Sequence, residues 1–323
     1  MESYIFRTAN GCFGYMQIQD DQENCSFLLN HGKFDFYERF DSKISMAQLQ
    51  INMPQSDLSW IKSTDVDTIL VNVLCWVQGK FDFLPIKDVH KNHSPGEYFP
   101  RSIRDAAQLC HYISPPPFSN DDLLSEVRSF SSISSSLVRV FDYIEPEKSN
   151  LKTYGNKLRE ILILACTEVE YLWLKFLQEN SYPNKKSYST MDYIKCLPHL
   201  KLSEYEVEFI NFPSLGIFKP FSGWNDKQAT KSLSWYDAYN AVKHNRGANM
   251  FNATLEAAIN SIAAIRVLLK AQYGFSELEG VINMPNIDAF KITSNPTWNI
   301  NEVAMPLLNS SGANWTTPKS IVF

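Results

Sequence analysis

The run LSWYDAYNAVKHNR, residues 233–246, brings an asparagine, a lysine, a histidine and an arginine close together, and these residue types suit phosphodiester cleavage without metal. Histidine titrates near neutral pH and serves as general acid or base. A lysine or arginine stabilises a pentavalent phosphate, and an asparagine fixes an imidazole tautomer or a ribose hydroxyl. At roughly 100° per helical residue, with Asp237 at zero, Asn240 falls near about 300°, His244 near about 340° and Lys243 near about 240°. Trp235, Tyr239 and Val242 gather between about 140° and 200°, so one face is aromatic and the other carries the polar groups. A regular helix would turn Arg246 away, to about 180°. It joins His244 only if the helix ends around Asn245, Arg246 and Gly247, with Gly247 as the cap. A plainer reading stands beside this one: His244 is a satisfied hydrogen-bonding residue, and Lys243 and Arg246 are solvated charges near a helix C-terminus, which favours cations. Glu168, on the flank of an earlier apolar sector, either orients His244 or pairs with a lysine.

The elements that must hold this run are helical. Leu158, Ile161, Leu162, Ala165, Val169, Leu172, Trp173 and Phe176 share one sector of a helix predicted over 151–179, closed by Tyr182 and Pro183. Leu123, Leu124, Val127, Phe130, Leu137, Val138 and Phe141 predict an amphipathic helix whose serines form its polar face. Phe251, Leu255, Ala258, Ile262, Ile265 and Leu269 predict a helix over 251–273, with Gly274 placed for a left-handed C-cap. Short helices are predicted at 191–196 and 203–210, and an aromatic loop around Phe212, Phe221 and Trp224. Before these, short apolar bursts at 4–7, 12–18, 26–29, 34–37 and 67–77 predict strands. Residues 88–117 read as connection, with His90 and His93 in a surface loop and one short helix at 102–112.

Three segments carry a resemblance: YGNKLREILILACTEVEYLWLKFLQEN (154–180), SLSWYDAYNAVKHNR (232–246) and the Ala/Ile-rich helix that follows, to AQYG. Together they resemble prokaryotic proteins akin to the HEPN superfamily, over about residues 123–274 and not over the β-rich beginning. The resemblance implies a helical bundle that usually dimerises, and a metal-independent endoribonuclease of toxin–antitoxin, abortive-infection or other antiviral systems, or a non-catalytic RNA-binding or scaffold module. In the superfamily an arginine precedes the histidine by four to six intervening residues. Here Asp237, Ala238 and Tyr239 stand at that distance and Arg246 follows His244, so the carry-over reaches His244 alone. Arg246 and Lys243 are substitutes for the missing arginine. Arg104 and His111 have the formal spacing but lie beside the proline-rich connection, outside the matched segments.

Composition bounds the rest. Of 323 residues, 44% are hydrophobic, which suffices for the cores of two ordinary domains. The net charge of −5 argues against a surface that is basic throughout and leaves room for a local basic site. Six cysteines without Cys-x-x-Cys pairing are read as reduced thiols, and no cofactor or metal is expected. No apolar run approaches the roughly 20 residues of a membrane span, and nothing at the start reads as a signal peptide, so a cytoplasmic protein is expected. The sequence therefore predicts an α+β protein: a β-rich N-terminal domain (1–115), an all-α HEPN-like bundle (118–274) and an irregular C-terminal tail (275–323) packing on the bundle. The functional expectation is a defence-type or stress-type effector that binds and cleaves RNA, with a homodimer through the helices and a protein partner at the N-terminal domain. Its alternatives are a non-enzymatic dimerising module with a sensing N-terminal domain, and an antitoxin-like partner of another protein.

Overall fold

The structure, a computed structural model, describes residues 2–8, 11–18, 24–30, 35–41, 86–104, 116–274, 289–309 and 312–323, and it mixes helix with sheet as an α+β protein. The chain divides into two compact units. One comprises Met1–Tyr98, Arg104–Pro117 and Trp298–Lys319; the other comprises Phe99–Ile103, Phe118–Thr297 and Ser320–Phe323.

In the first unit, β1 (Glu2–Thr8), β2 (Phe13–Ile18), β3 (Asn24–Asn30), β4 (Asp35–Asp41) and β5 (Ile86–Asn92) form an antiparallel sheet in the order β4-β3-β2-β1-β5. The first four strands match the predicted apolar bursts; the strand predicted over 67–77 lies outside the described residues. At β5 the expectation of a connecting loop fails, and His90 sits in this strand opposite Ile5. The sequence KDVHKN hides the strand because it is rich in charge and, among the described strands, lies at the edge of the sheet, where charge is a common protection. Two of its charges are met across the ladder: Asp88 accepts from Arg7 Nε at 3.2 Å, and Lys91 pairs with Glu2 at 2.5 Å. Gly14 faces Phe6 across β1 and β2, and a Cβ there would come within 2.0 Å of the Phe6 ring, so only glycine fits.

Of the residues predicted as a tail on the bundle, 298–319 group with the N-terminal sheet instead, while 289–297 and 320–323 group with the helices. β6 (Glu97–Tyr98) pairs in parallel with β12 (Thr317–Pro318), and β10 (Leu307–Asn309) pairs with β11 (Gly312–Asn314). Buried Gln17 donates to Ser3 Oγ at 3.1 Å and accepts the Leu308 N–H at 3.0 Å. Backbone pairing and a buried amide thus hold 298–319 in the unit of the N-terminal sheet.

The second unit is built from α1 (Asn120–Val138), α2 (Asn156–Glu179), α3 (Thr190–Tyr193), α4 (Cys196–Leu200), α5 (Ser234–His244), α6 (Arg246–Asn249) and α7 (Leu255–Tyr273). Helix α2 packs against α1, α5 and α7. Ser119 caps α1 by accepting the Asp122 N–H at 3.1 Å, with Asp121 and Asp122 in the first turn, where acidic groups are favoured. Helix α7 starts after Thr254, whose side chain accepts the Ala257 N–H, and ends at Gly274 with φ 71°. Phe251 falls outside it, in a 3₁₀ turn, 57% exposed. The helix predicted over 203–210 is instead β7 (Glu206–Phe209), flanked antiparallel by β8 (Ile217–Phe218) and β9 (Phe290–Ser294). Val207 and Phe209 are buried while Glu206 and Glu208 are partly exposed, a period of two. Trp173, fully buried on α2, stacks on Tyr193 at 5.3 Å and Trp224 at 4.9 Å, and this aromatic layer supports α5 from beneath.

Candidate functional site

Helix α5 buries Trp235, Tyr236, Tyr239 and Val242 and leaves Asp237, Lys243 and His244 exposed, as its periodicity requires. Trp235 is pinned by donating Nε1–H to the Pro220 carbonyl at 2.7 Å. The helix stops at Asn245, whose φ of −144° and ψ of 80° leave the helical region. The Asn245 side chain then accepts the Ala248 N–H at 3.2 Å and opens α6. Asn249 Nδ2 ties that turn back by donating to the Ala241 carbonyl at 3.3 Å and the Asn245 carbonyl at 3.0 Å. The chain therefore breaks where Arg246 needs it to, but by asparagine chemistry. Gly247 lies inside α6 instead of capping α5.

This corner does not treat the candidate residues alike. His244 and Arg246 stand exposed on either side of Asn245, and neither makes a side-chain hydrogen bond or ion pair among the described residues. Asn240 donates Nδ2–H to the Tyr236 carbonyl at 3.0 Å, which commits its amide to its own helix. Lys243 leans over the aromatic face, 4.8 Å above the Tyr239 ring, and donates to the Tyr239 hydroxyl at 2.7 Å. That hydrogen bond raises the lysine's pKa above its usual value. Tyr236 donates to Glu170 Oε1 at 2.6 Å, and burial first, then this bond, raise the phenol's pKa.

Glu168 faces away from this corner. It meets Ser129 and the charge of Glu126 on α1; burial and then Glu126 push its pKa up to about 7. The acid that α2 presents to α5 is Glu170, about 200° further round the helix from Glu168. Of the two roles expected for Glu168, orienting His244 does not fit this placement, and among the described residues it forms no ion pair with a lysine either.

A second charged cluster has no forewarning in the sequence. Arg101, held at φ 51°, buries a guanidinium whose side chain is 1% exposed. It donates to both Glu126 oxygens at 2.7 and 2.8 Å, to Glu179 at 3.3 Å and to Gln272 at 2.5 Å, and lies 4.9 Å from the Tyr273 ring centre. Burial is the largest single influence and would lower its pKa; Glu126, Tyr273 and Glu179 together outweigh it and the value rises. Glu126 moves up as well, because burial outweighs Arg101. The partners lie 25, 78 and 171 residues away along the chain, so no local pattern announces them. The segment bearing Arg101 is docked on the helices by the Ile103 N–H to the Ala271 carbonyl at 2.9 Å and by Asn180 Nδ2–H to the Pro100 carbonyl at 2.9 Å. Arg104 belongs to the other unit, 5.5 Å from the Trp298 ring centre, and burial brings its pKa down to about 10. His111 lies outside the described residues.

The chain matches no family model, and no curated protein or solved structure matches it. Among the described residues no helix is long and apolar enough to cross a membrane, and no group of three or more His, Cys, Asp or Glu is placed to hold a metal ion.

Proposed function

We propose that the helical unit binds RNA at the corner between α5 and α6 and cleaves it without metal, in a prokaryotic defence or stress role. One observation carries the reading: an imidazole and a guanidinium, His244 and Arg246, flank a helix break, are both open to solvent and are not consumed by other contacts. In the proposed reaction a ribose 2′-hydroxyl attacks phosphorus and the bond to the 5′-oxygen breaks. His244 performs one of the two proton transfers, taking the proton of the 2′-hydroxyl or delivering one to the leaving 5′-oxygen, and water or a second copy's imidazole performs the other. Arg246 offers a planar fork of donors to the phosphate, and its charge offsets that of the transition state. Lys243 adds a positive field from beside Tyr239. The expected pairing of two copies would complete the proton relay.

The test is incubation of the purified protein with total cellular RNA in excess EDTA. His244→Ala should lower the cleavage rate by about 10²- to 10⁴-fold. Arg246→Gln should weaken RNA binding and reduce the slope of log affinity against log salt by about 0.7. Intact RNA with every substrate tried, or parent and His244→Ala cleaving at one rate, would overturn the enzyme reading. A second reading, a non-enzymatic interaction module, is favoured by Asn240 and Lys243 being engaged within α5. It predicts RNA retained on the protein, if at all, without any cut.

A further inference from the structure

Between the end of α1 and the start of α2, the helical unit holds a cavity of 440 Å³, within the range of small-molecule sites. Val140, Ile144 and Leu158 give it an apolar lining. Tyr143 and Tyr154 also line it, although they are 89% and 55% exposed. Isolated surface aromatics are ordinary, but two rings at one concavity offer the faces on which a flat ligand stacks.

The charged side chains that line this cavity are all basic. Arg139 and Lys157 line it and no acidic residue does, nor does the first turn of α2 carry one. Lys157 is engaged by Glu160 at 2.9 Å, whereas Arg139 forms no ion pair among the described residues. An arginine left open beside apolar surface suits an anion, because its planar donors match a phosphate or carboxylate in pairs and the apolar surround strengthens the contact.

We propose that this cavity binds a small molecule composed of a flat aromatic ring and an anionic group. The ring stacks against Tyr143 and Tyr154 over the apolar lining, and the anion meets Arg139, with Lys157 and Asn156 nearby. None of these residues belongs to the corner between α5 and α6, so the site stands or falls separately from RNA cleavage. A simple aryl phosphate and a nucleoside monophosphate share this chemistry.

The experiment titrates the full chain by calorimetry with 1-naphthyl phosphate, adenosine 5′-monophosphate, 1-naphthol and inorganic phosphate. At least one of the two ring-bearing phosphates should bind saturably and about tenfold more tightly than 1-naphthol or inorganic phosphate, since a charged hydrogen bond adds to ring burial. Preference for 1-naphthyl phosphate assigns the site to aryl anions, and preference for adenosine 5′-monophosphate assigns it to nucleotides. Arg139→Gln should weaken the preferred phosphate about tenfold and leave 1-naphthol unchanged, with Arg139→Lys restoring part of the loss. Tyr143→Ala should weaken the preferred phosphate too. These side chains are exposed, so unchanged thermal unfolding would show that each variant is folded. Absence of saturable binding of either ring-bearing phosphate up to about 1 mM, or binding that none of these variants alters, overturns the proposal.

Discussion

Two guanidinium groups of the helical unit live in opposite surroundings. Arg101 is sealed in and bonded by Glu126, Glu179 and Gln272, while Arg246 stands in solvent with no described partner. The first has its donors consumed by the fold; the second keeps them for something else. Arg101 is held at a left-handed φ that a non-glycine residue adopts only when its surroundings enforce it. The comparison teaches that charge in this unit serves two ends, and that burial with saturation of donors separates them. Arg101→Met should break the first arrangement by leaving the Glu126 carboxylate buried and unpaired, at about 3–5 kcal/mol of stability. Adding Glu126→Gln should return a large part of that loss. Urea unfolding of both variants checks it; a loss for Arg101→Met no greater than that of a surface substitution would erase the distinction.

Glu168 extends the buried side of the comparison and gives it a pH signature. Its pKa rises from the usual carboxylate range, near 4.5, to about 7, through burial and then the like charge of Glu126. The folded protein therefore holds this proton more tightly than the unfolded chain. Its contribution favours folding most below pH about 4.5, declines as pH climbs toward 7 and is fully unfavourable above that. Glu168→Gln removes the charge, so this variant should exceed the parent in stability at pH 8 by on the order of 1–2 kcal/mol, after discounting for solvent screening, with the gap closing toward pH 4.5. Asp192 works in a separate window: against the burial that would raise it, bonds from Lys185, Ser189 and Tyr182 hold it at about 2. Parallel curves of stability against pH for parent and Glu168→Gln would show that this carboxyl keeps an ordinary affinity for its proton.

The same contrast explains what the sequence makes legible. Helix α7 is readable because its buried positions repeat at the helical period and Gly274 marks its end, but the apolar spacing carries the predicted start back to Phe251, before the Thr254 cap. The sorting of α5 into an aromatic face and a polar face is equally local. The strand β7 is written as the alternation of Tyr205, Val207 and Phe209 with glutamates, yet β8 and β9 lie downstream at 217–218 and 290–294, and a short apolar run read by itself suggests a helix. The Arg101 cluster is illegible in principle, since its carboxylates and amide converge only when α1, α2 and α7 pack. At the candidate site the sequence places His244 and the helix end, and it misplaces the agents. Asn245 stops the helix where Gly247 is expected, and Lys243 turns back to Tyr239. Side-chain direction at a helix end depends on what the neighbouring turn leaves open, which periodicity does not encode.

Lys243 lies between the two extremes and supplies the finest test of the contrast. It is exposed like Arg246, but its ammonium is spoken for by the Tyr239 hydroxyl at 2.7 Å and the ring beneath. Removing one such contact at a solvated position should cost about 0.5–1 kcal/mol, because one hydrogen bond and one cation–π contact are lost without stranding a buried charge. His244→Ala and Arg246→Gln, which break no described contact, should stay within about 0.5 kcal/mol of the parent. Thermal unfolding should therefore rank Lys243→Met below both, by a margin of at most a few degrees in a domain of this size. If His244→Ala or Arg246→Gln proves the more damaging, the corner is part of the scaffold. Its groups then have partners that these contacts do not show, and their openness no longer argues for a ligand.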